Sequence, residues 1–200
     1  MKSIVVGVTG ASGSIYARRL VQVLCELDVH VHLVLSRHAL KVITIELEPL
    51  GLKAGEEIKF EVLRYFQGDS ITFHGYQDFT APIASGSCRT DGMVICPCTA
   101  GTLGRVANGV STNLLDRAAD VTLKERRKLI CVLREMPYSI ILIENMLKLS
   151  RAGGVIIPAS PTFYHGPETI ADLVDSVVAR VLEHLGLESE LKVKWDPDRS

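Results

Sequence analysis

Hydrophobic and polar positions along this chain follow two rhythms. Short, mostly apolar runs, the mark of strands covered on both faces, occur at 4–8, 29–35, 71–73, 93–96, 129–133 and 155–157. Between them apolar residues recur at helical spacing. That spacing predicts helices over 15–24, from a Ser36 cap to about Leu47, over 58–68, from about Leu103 behind a Thr99 cap, and over 113–126, 139–149 and 169–185. Pro97 is expected to end the fourth strand and Gly68 the third helix. Residues 48–57, with Pro49, Gly51 and Gly55, read as a connection. Residues 74–91 form a long polar loop, and a loop of that length in a compact domain usually carries a function. Strand and helix alternate throughout, without internal repeat or low-complexity segment. The expected fold is therefore α/β, a doubly wound parallel sheet in a single domain over residues 1–186, followed by a polar tail, 187–200, whose anchor candidate is Trp195.

The most informative stretch is Gly7-Val8-Thr9-Gly10-Ala11-Ser12-Gly13-Ser14, between the first strand and the first helix. A strand, a glycine-rich turn and a helix N-terminus together present backbone N–H groups to an anion. Gly10 and Gly13 permit the tight turn, and Ser12 and Ser14 supply hydroxyls and an expected N-cap. A capped βα turn with no ligand would look similar, but the carboxyl end of the first strand is a favoured binding place in α/β proteins.

Composition narrows the class. The 200 residues include 22 basic and 23 acidic side chains, a formal net charge of −1, which gives no bulk attraction to nucleic acid. A hydrophobic content of 47% points to buried strands or a large subunit interface. No apolar run approaches the roughly 18 residues of a membrane-spanning helix, and the glycines at 7, 10 and 13 break the N-terminal run too early for a signal peptide. Cys25, Cys88, Cys96, Cys98 and Cys131 are odd in number and mostly in apolar surroundings, as expected of reduced thiols in a cytoplasmic protein. Cys96-Pro97-Cys98 lacks a second ligand pair and reads as structural, with no metal expected.

The turn is G-x-x-G-x-x-G and lacks the G-K-[ST] ending of a P-loop. The second strand ends in Leu35-Ser36-Arg37-His38, without the carboxylate that dinucleotide sites place there, so a mononucleotide such as FMN fits better. A second small-residue loop, Thr99-Ala100-Gly101-Thr102, also joins a strand to a helix, and the two loops are expected to grip one phosphate. Arg117, Lys124, Arg134 and Glu135, with Tyr164, His165 and Arg180, form a charged set. Arg134 ends a buried strand on the presumed ligand side. Convergence of Lys, Arg and Tyr on one spot would neutralise a phosphate. Glu46, among Val42, Ile43 and Ile45, reads equally as an exposed helix position or a buried acid.

Seven segments carry a family resemblance. They are Gly10-Ala11-Ser12-Gly13, Ala84-Ser85-Gly86-Ser87, Met93-Val94-Ile95-Cys96-Pro97-Cys98, Arg117-Ala118-Ala119-Asp120-Val121, Leu123-Lys124-Glu125-Arg126-Arg127, Arg134-Glu135 and Phe163-Tyr164-His165. In this order, from about residue 2 to 185, they resemble the UbiX-like flavin prenyltransferases. The resemblance implies a Rossmann-like flavoprotein fold, a homododecamer, and transfer of a dimethylallyl group from dimethylallyl monophosphate to N5 and C6 of reduced FMN. The prenylated FMN would serve a UbiD-type decarboxylase. By matching position, it implies FMN contacts at Gly10, Ala11, Ser12, Ser36, Thr99, Ala100, Gly101, Thr102 and Arg134. Tyr164 and Arg180 would hold the prenyl phosphate beside Lys124 and Glu135, with Arg117 and Phe79 also on the substrate. Ser12, Glu46, Lys124 and Glu135 form the implied catalytic group. Phe79 stands where some relatives carry tryptophan, and Thr99 where serine is frequent.

The implied chemistry breaks an allylic C–O bond. Lys124, Arg180 and Tyr164 would stabilise the phosphate, and Glu46, protonated or shared with Ser12, would donate to it. Phe79 would face the allyl cation. Two rival readings are an FMN-dependent cysteine decarboxylase relative and an FMN carrier without chemistry. The first requires P-x-M-N, and the nearest stretch here is Glu144-Asn145-Met146. The second has no use for a second phosphate site.

Overall fold

The computed structural model describes residues 1–47, 65, 66, 68 and 70–191. The predicted connection 48–57, most of the helix expected over 58–68, and Trp195 lie outside the described residues. Six strands pair in parallel: β1 (Ser3–Val8), β2 (His30–Leu35), β3 (Ile71–His74), β4 (Gly92–Cys98), β5 (Lys128–Leu133) and β6 (Val155–Pro158). Their spatial order is β3-β2-β1-β4-β5-β6, so the direction of winding reverses between β1 and β4. The helices are α1 (Ser14–Glu26), α2 (Arg37–Leu47), α3 (Ala100–Ala107), α4 (Leu114–Lys124), α5 (Ile140–Arg151) and α6 (Ile170–Leu185).

Alternation along the strands builds two cores. Ile4, Val6, Val31, Leu33, Val94 and Ile130 face α1, α2 and α6. Val5, Met93, Ile95, Leu129 and Cys131 face α3, α4 and α5. Every residue of β4 is buried, as expected of a central parallel strand, and each large side chain there contributes about 1.5–3 kcal/mol by leaving water. The doubly wound parallel sheet expected from the pattern is the observed fold.

Three local expectations are corrected. Pro97 does not end β4, which runs on to Cys98. Pairing with β5 slips between Ile95 and Cys98, and this irregularity accommodates a residue that has no N–H to donate. The slip also places Cys96 in one core and Cys98 in the other, so the two thiols face opposite sides of the sheet. Thr99 is a helix cap as expected, but α3 starts at once, at Ala100, because its hydroxyl accepts from Thr102 N at 3.2 Å. The helix expected over 113–126 stops at Lys124, where Glu125 caps it and Arg126 turns to φ 57°. Leu187 and Leu191 pack on the first core and anchor the start of the tail.

Candidate functional site

The reversal between β1 and β4 separates the chain leaving these strands, and ligands of open α/β sheets bind at such a point. A cleft of about 580 Å³ opens there, lined by Thr9, Gly10, Ser36, His38, Thr99, Thr102 and Asn113, among others. That volume is within the usual range for small-molecule sites. A Cβ on Gly10 would lie 2.5 Å from the Cβ of His38, so only glycine allows the first loop to approach α2 this closely. Ser36 caps α2 by accepting from Ala39 N at 3.0 Å, and Ser36 N donates to Val8 O at 2.9 Å. Two helix N-termini, those of α2 and α3, therefore border the cleft.

Thr9 joins the two loops. Its hydroxyl donates to Pro97 O at 2.6 Å and accepts from Thr99 N at 3.0 Å. Arg105 braces the far wall through Asp116, with Nε to Oδ2 at 2.7 Å and Nη2 to Oδ1 at 3.2 Å. The Asp116 side chain is fully buried and also accepts from Asn113 Nδ2 at 2.6 Å and Thr112 Oγ1 at 2.9 Å. Thr9, Arg105 and Asp116 were not singled out in the sequence. The Asn113-x-x-Asp116 capping spacing was a legible signal for part of this set, since Asp116 N donates to Asn113 Oδ1 at 2.9 Å.

The N-terminus of α1 differs from expectation. Gly13, at φ 103°, is the N-cap and brings no side-chain acceptor. The acceptor is Glu46, near the end of α2. Its Oε1 takes Gly13 N at 2.8 Å, and its Oε2 takes Ser14 N at 2.8 Å and Ser14 Oγ at 2.6 Å. Burial pushes the Glu46 carboxyl up, but hydrogen bonds from the Ser12 and Ser14 hydroxyls and the two amides outweigh it and hold it below the usual range. Of the two states expected for Glu46, protonated or shared with Ser12, these bonds favour the shared one, with the carboxylate as acceptor.

Arg134 leaves β5 beside the first loop. Its amide donates to Cys98 O at 3.1 Å and its Nε to Ser12 O at 3.3 Å. Ala11 is buried, Ser12 is exposed, and Gly101 and Ala100 open α3. Glu135 is exposed next to Arg134, its carboxylate accepting from Met136 N at 3.1 Å. Phe79 is half-exposed in the loop after β3, and Tyr164 is half-exposed in the loop after β6, its ring 6.0 Å from that of His165.

Within one chain the remaining charged residues do not converge. Lys124 ends the 11-residue α4, about 15 Å along the axis from its cleft end, and pairs with Glu125. Arg117 donates to Ala84 O at 3.1 Å and pairs with Asp120 at 2.8 Å. Arg180 is exposed on α6, which lies on the opposite face of the sheet from α4, and pairs with Glu183. Of the expected cluster of Lys124, Tyr164 and Arg180, the sheet thus separates Lys124 from Arg180.

A parallel sheet with glycine and threonine loops around a cleft at its reversal point defines a mononucleotide-binding α/β protein. The Flavoprotein family model matches residues 1–182. The chain is 47% identical to the flavin prenyltransferase UbiX of Halalkalibacterium halodurans over 97% of its own length and 93% of the relative. A protein described as a dodecameric FMN-dependent UbiX-like decarboxylase from Escherichia coli superimposes with TM-score 0.85 at 42% identity, covering 97% of this chain and 99% of that one. A UbiX protein solved with FMN and dimethylallyl pyrophosphate superimposes with TM-score 0.87 at 37% identity, covering 98% and 97%. The chain belongs to the UbiX family of flavin prenyltransferases.

Proposed function

We propose that this flavin prenyltransferase joins the dimethylallyl group of dimethylallyl monophosphate to N5 and C6 of reduced FMN in the cleft between β1 and β4. The observation that carries the reading is the joining of both small-residue loops by Thr9 at a cleft of mononucleotide size. Gly10, Ala11, Ser12, Ser36 and residues 99–102 would hold FMN, with the N-termini of α2 and α3 facing its phosphate. Arg134, fixed on Ser12 O, would place positive charge at the same rim. Tyr164 and Glu135 also follow carboxyl ends of strands and would border the prenyl donor, with Phe79 as an aromatic wall. FMN supplies the two nucleophilic positions of the flavin ring. Glu46, hydrogen-bonded to Ser12 and held below the usual carboxylate range, would serve as a proton acceptor through that hydroxyl.

Lys124, Arg117 and Arg180 enter this reading through assembly. Two observations support it: the sheet separates Lys124 from Arg180 within one chain, and α5 exposes Ile140 and Ile141 at 72% and 67%, with Ile143, Leu147 and Met136 beside them. A helix apolar on its outer face calls for a partner. We take that partner to be a second copy, in a dodecamer like the E. coli relative, with Lys124 and Arg117 of a partner subunit closing the phosphate site. Prenylated FMN would pass to a UbiD-type decarboxylase, and five cysteines, none of them in a disulfide, fit a cytoplasmic setting. Residues 1–186 would form the catalytic unit and 187–200 its tail. No helix among the described residues is long and apolar enough to cross a membrane.

The test is to mix protein and reduced FMN anaerobically with dimethylallyl monophosphate or, in a second arm, the pyrophosphate. The expected result is a flavin heavier by one five-carbon unit, with altered absorbance, in the monophosphate arm. FMN recovered unchanged from both arms would remove the reading and favour a carrier.

A further inference from the structure

Glu46 is held by more than a helix N-terminus requires. Two backbone amides, Gly13 N and Ser14 N, already satisfy one oxygen each. The Ser14 hydroxyl then adds a second bond to Oε2, the shortest of the three at 2.6 Å. Because the carboxylate has no proton to give, Ser14 is the donor in that bond. Its oxygen keeps its lone pairs for another donor, and the Tyr65 hydroxyl stands 3.4 Å away. Ser14 and Tyr65 are 1% and 3% exposed, so both hydroxyls depend on protein partners rather than bulk water. The guanidinium of Arg18 lies 5.1 Å from the centre of the Tyr65 ring and holds that ring in place. The row therefore has one polarity: Tyr65 O–H to Ser14, Ser14 O–H to Glu46.

We infer that Ser14, backed by Tyr65, is a positioning residue for the prenyl transfer, pinning the Glu46 carboxylate in the orientation and charge in which it meets Ser12. This rests on the place given above to Glu46 in the reaction. Ser14 touches neither the cleft lining nor the outer rim, and it acts through Glu46 alone. Among the described residues, the charged and titratable groups around this row are Tyr65, Arg18 on α1, and Arg134, which reaches the Ser12 carbonyl from the end of β5. Burial raises the Tyr65 hydroxyl above its usual range, so it remains a donor throughout the working pH range. A purely structural cap would make a different prediction. Removing the Ser14 hydroxyl would then lower stability and raise the Glu46 midpoint without moving the acid limb of kcat.

The experiment reads Glu46 directly. Protein carrying carbon-13 glutamate is titrated by infrared or NMR spectroscopy, with Glu46→Gln identifying the signal, in the wild type, Ser14→Ala and Tyr65→Phe. The expected midpoint of Glu46 rises by about one pH unit in Ser14→Ala, a tenfold change in its protonation equilibrium, and by less in Tyr65→Phe. The acid limb of kcat for prenylation rises in step, while FMN affinity changes less than twofold. A Glu46 midpoint identical in all three proteins overturns the proposal. A midpoint that moves while the acid limb of kcat stays fixed overturns it too, by a different route: Ser14 would hold a Glu46 that stands outside the reaction. Tyr65→Phe keeps the ring and its Arg18 contact, so it carries the test should Ser14→Ala fail to fold.

Discussion

Thr9 and Thr99, 90 residues apart in the chain, are joined by a 3.0 Å bond from the Thr99 amide to the Thr9 hydroxyl. The same hydroxyl donates to Pro97 O, so one buried oxygen locks the loop after β1 to the loop after β4. Thr9→Val keeps the shape and deletes both side-chain bonds, leaving the Thr99 amide without its acceptor, while Pro97 O keeps the Thr9 amide at 3.3 Å. The expected loss is about 1–3 kcal/mol of stability, with weaker FMN binding. Urea unfolding and fluorescence titration measure both, and wild-type values in each would show that the loops hold their positions without this tie.

Arg105 lines the cleft and is held from behind by the buried Asp116. Removing the guanidinium in Arg105→Ala leaves a fully buried carboxylate with only neutral donors, Asn113 and Thr112. Arg105 is itself about one-third exposed, so the expected cost is toward the lower end for broken buried pairs, about 2–3 kcal/mol. Asp116→Asn in the same background should recover part of it. Denaturation of the two variants decides the matter.

Glu46→Gln sets an amide N–H against the Gly13 or Ser14 N–H. The variant should lose about 1–2 kcal/mol and make product more slowly, with FMN affinity retained. The folded Glu46 is held below the ordinary carboxylate range, so its contribution is fully present above that range and is lost as pH falls through the folded value. The acid dependence of stability should therefore be shallower in the variant. Equal turnover in variant and wild type would exclude Glu46 from the chemistry.

His32 and His74 share a hydrogen bond of 2.9 Å between β2 and β3, with His30 edge-on at 4.7 Å. Burial, followed by the charges of His74 and His30, lowers His32 from 6.5 to about 4, while Asp78 partly offsets the lowering of His74. Between these values the unfolded chain takes up a proton that folded His32 refuses, so stability falls as pH drops from about 6.5 toward about 4. His32→Gln should flatten that stretch of the stability curve. An unchanged slope would place the acid sensitivity elsewhere.

Ile141→Glu puts a charge on the exposed face of α5 and should convert the assembly to smaller species in light scattering, with loss of prenylation. A sharper form co-assembles two inactive proteins, Lys124→Ala and Tyr164→Phe. Restored turnover is expected if Lys124 and Tyr164 of one working site come from different copies, and mixtures as inactive as their parents would mean that each chain completes its own site.

Local order in the chain was enough for the strands, the six described helices, and the caps at Ser36 and Thr99, because periodicity and capping act over a few residues. It was also enough to mark Gly10 and Arg134 as residues leaving the carboxyl ends of strands. The partners of those residues were settled only by folding. Glu46 reaches Gly13 across 33 positions, and Arg134 reaches Ser12 across 122. Such bonds depend on which strands lie side by side, and the pairing of β1 with β4 is a property of the whole sheet. The separation of Lys124 from Arg180 has the same origin: each sits on a helix of correct pattern, but covering both faces of a parallel sheet sends the two helices to opposite sides.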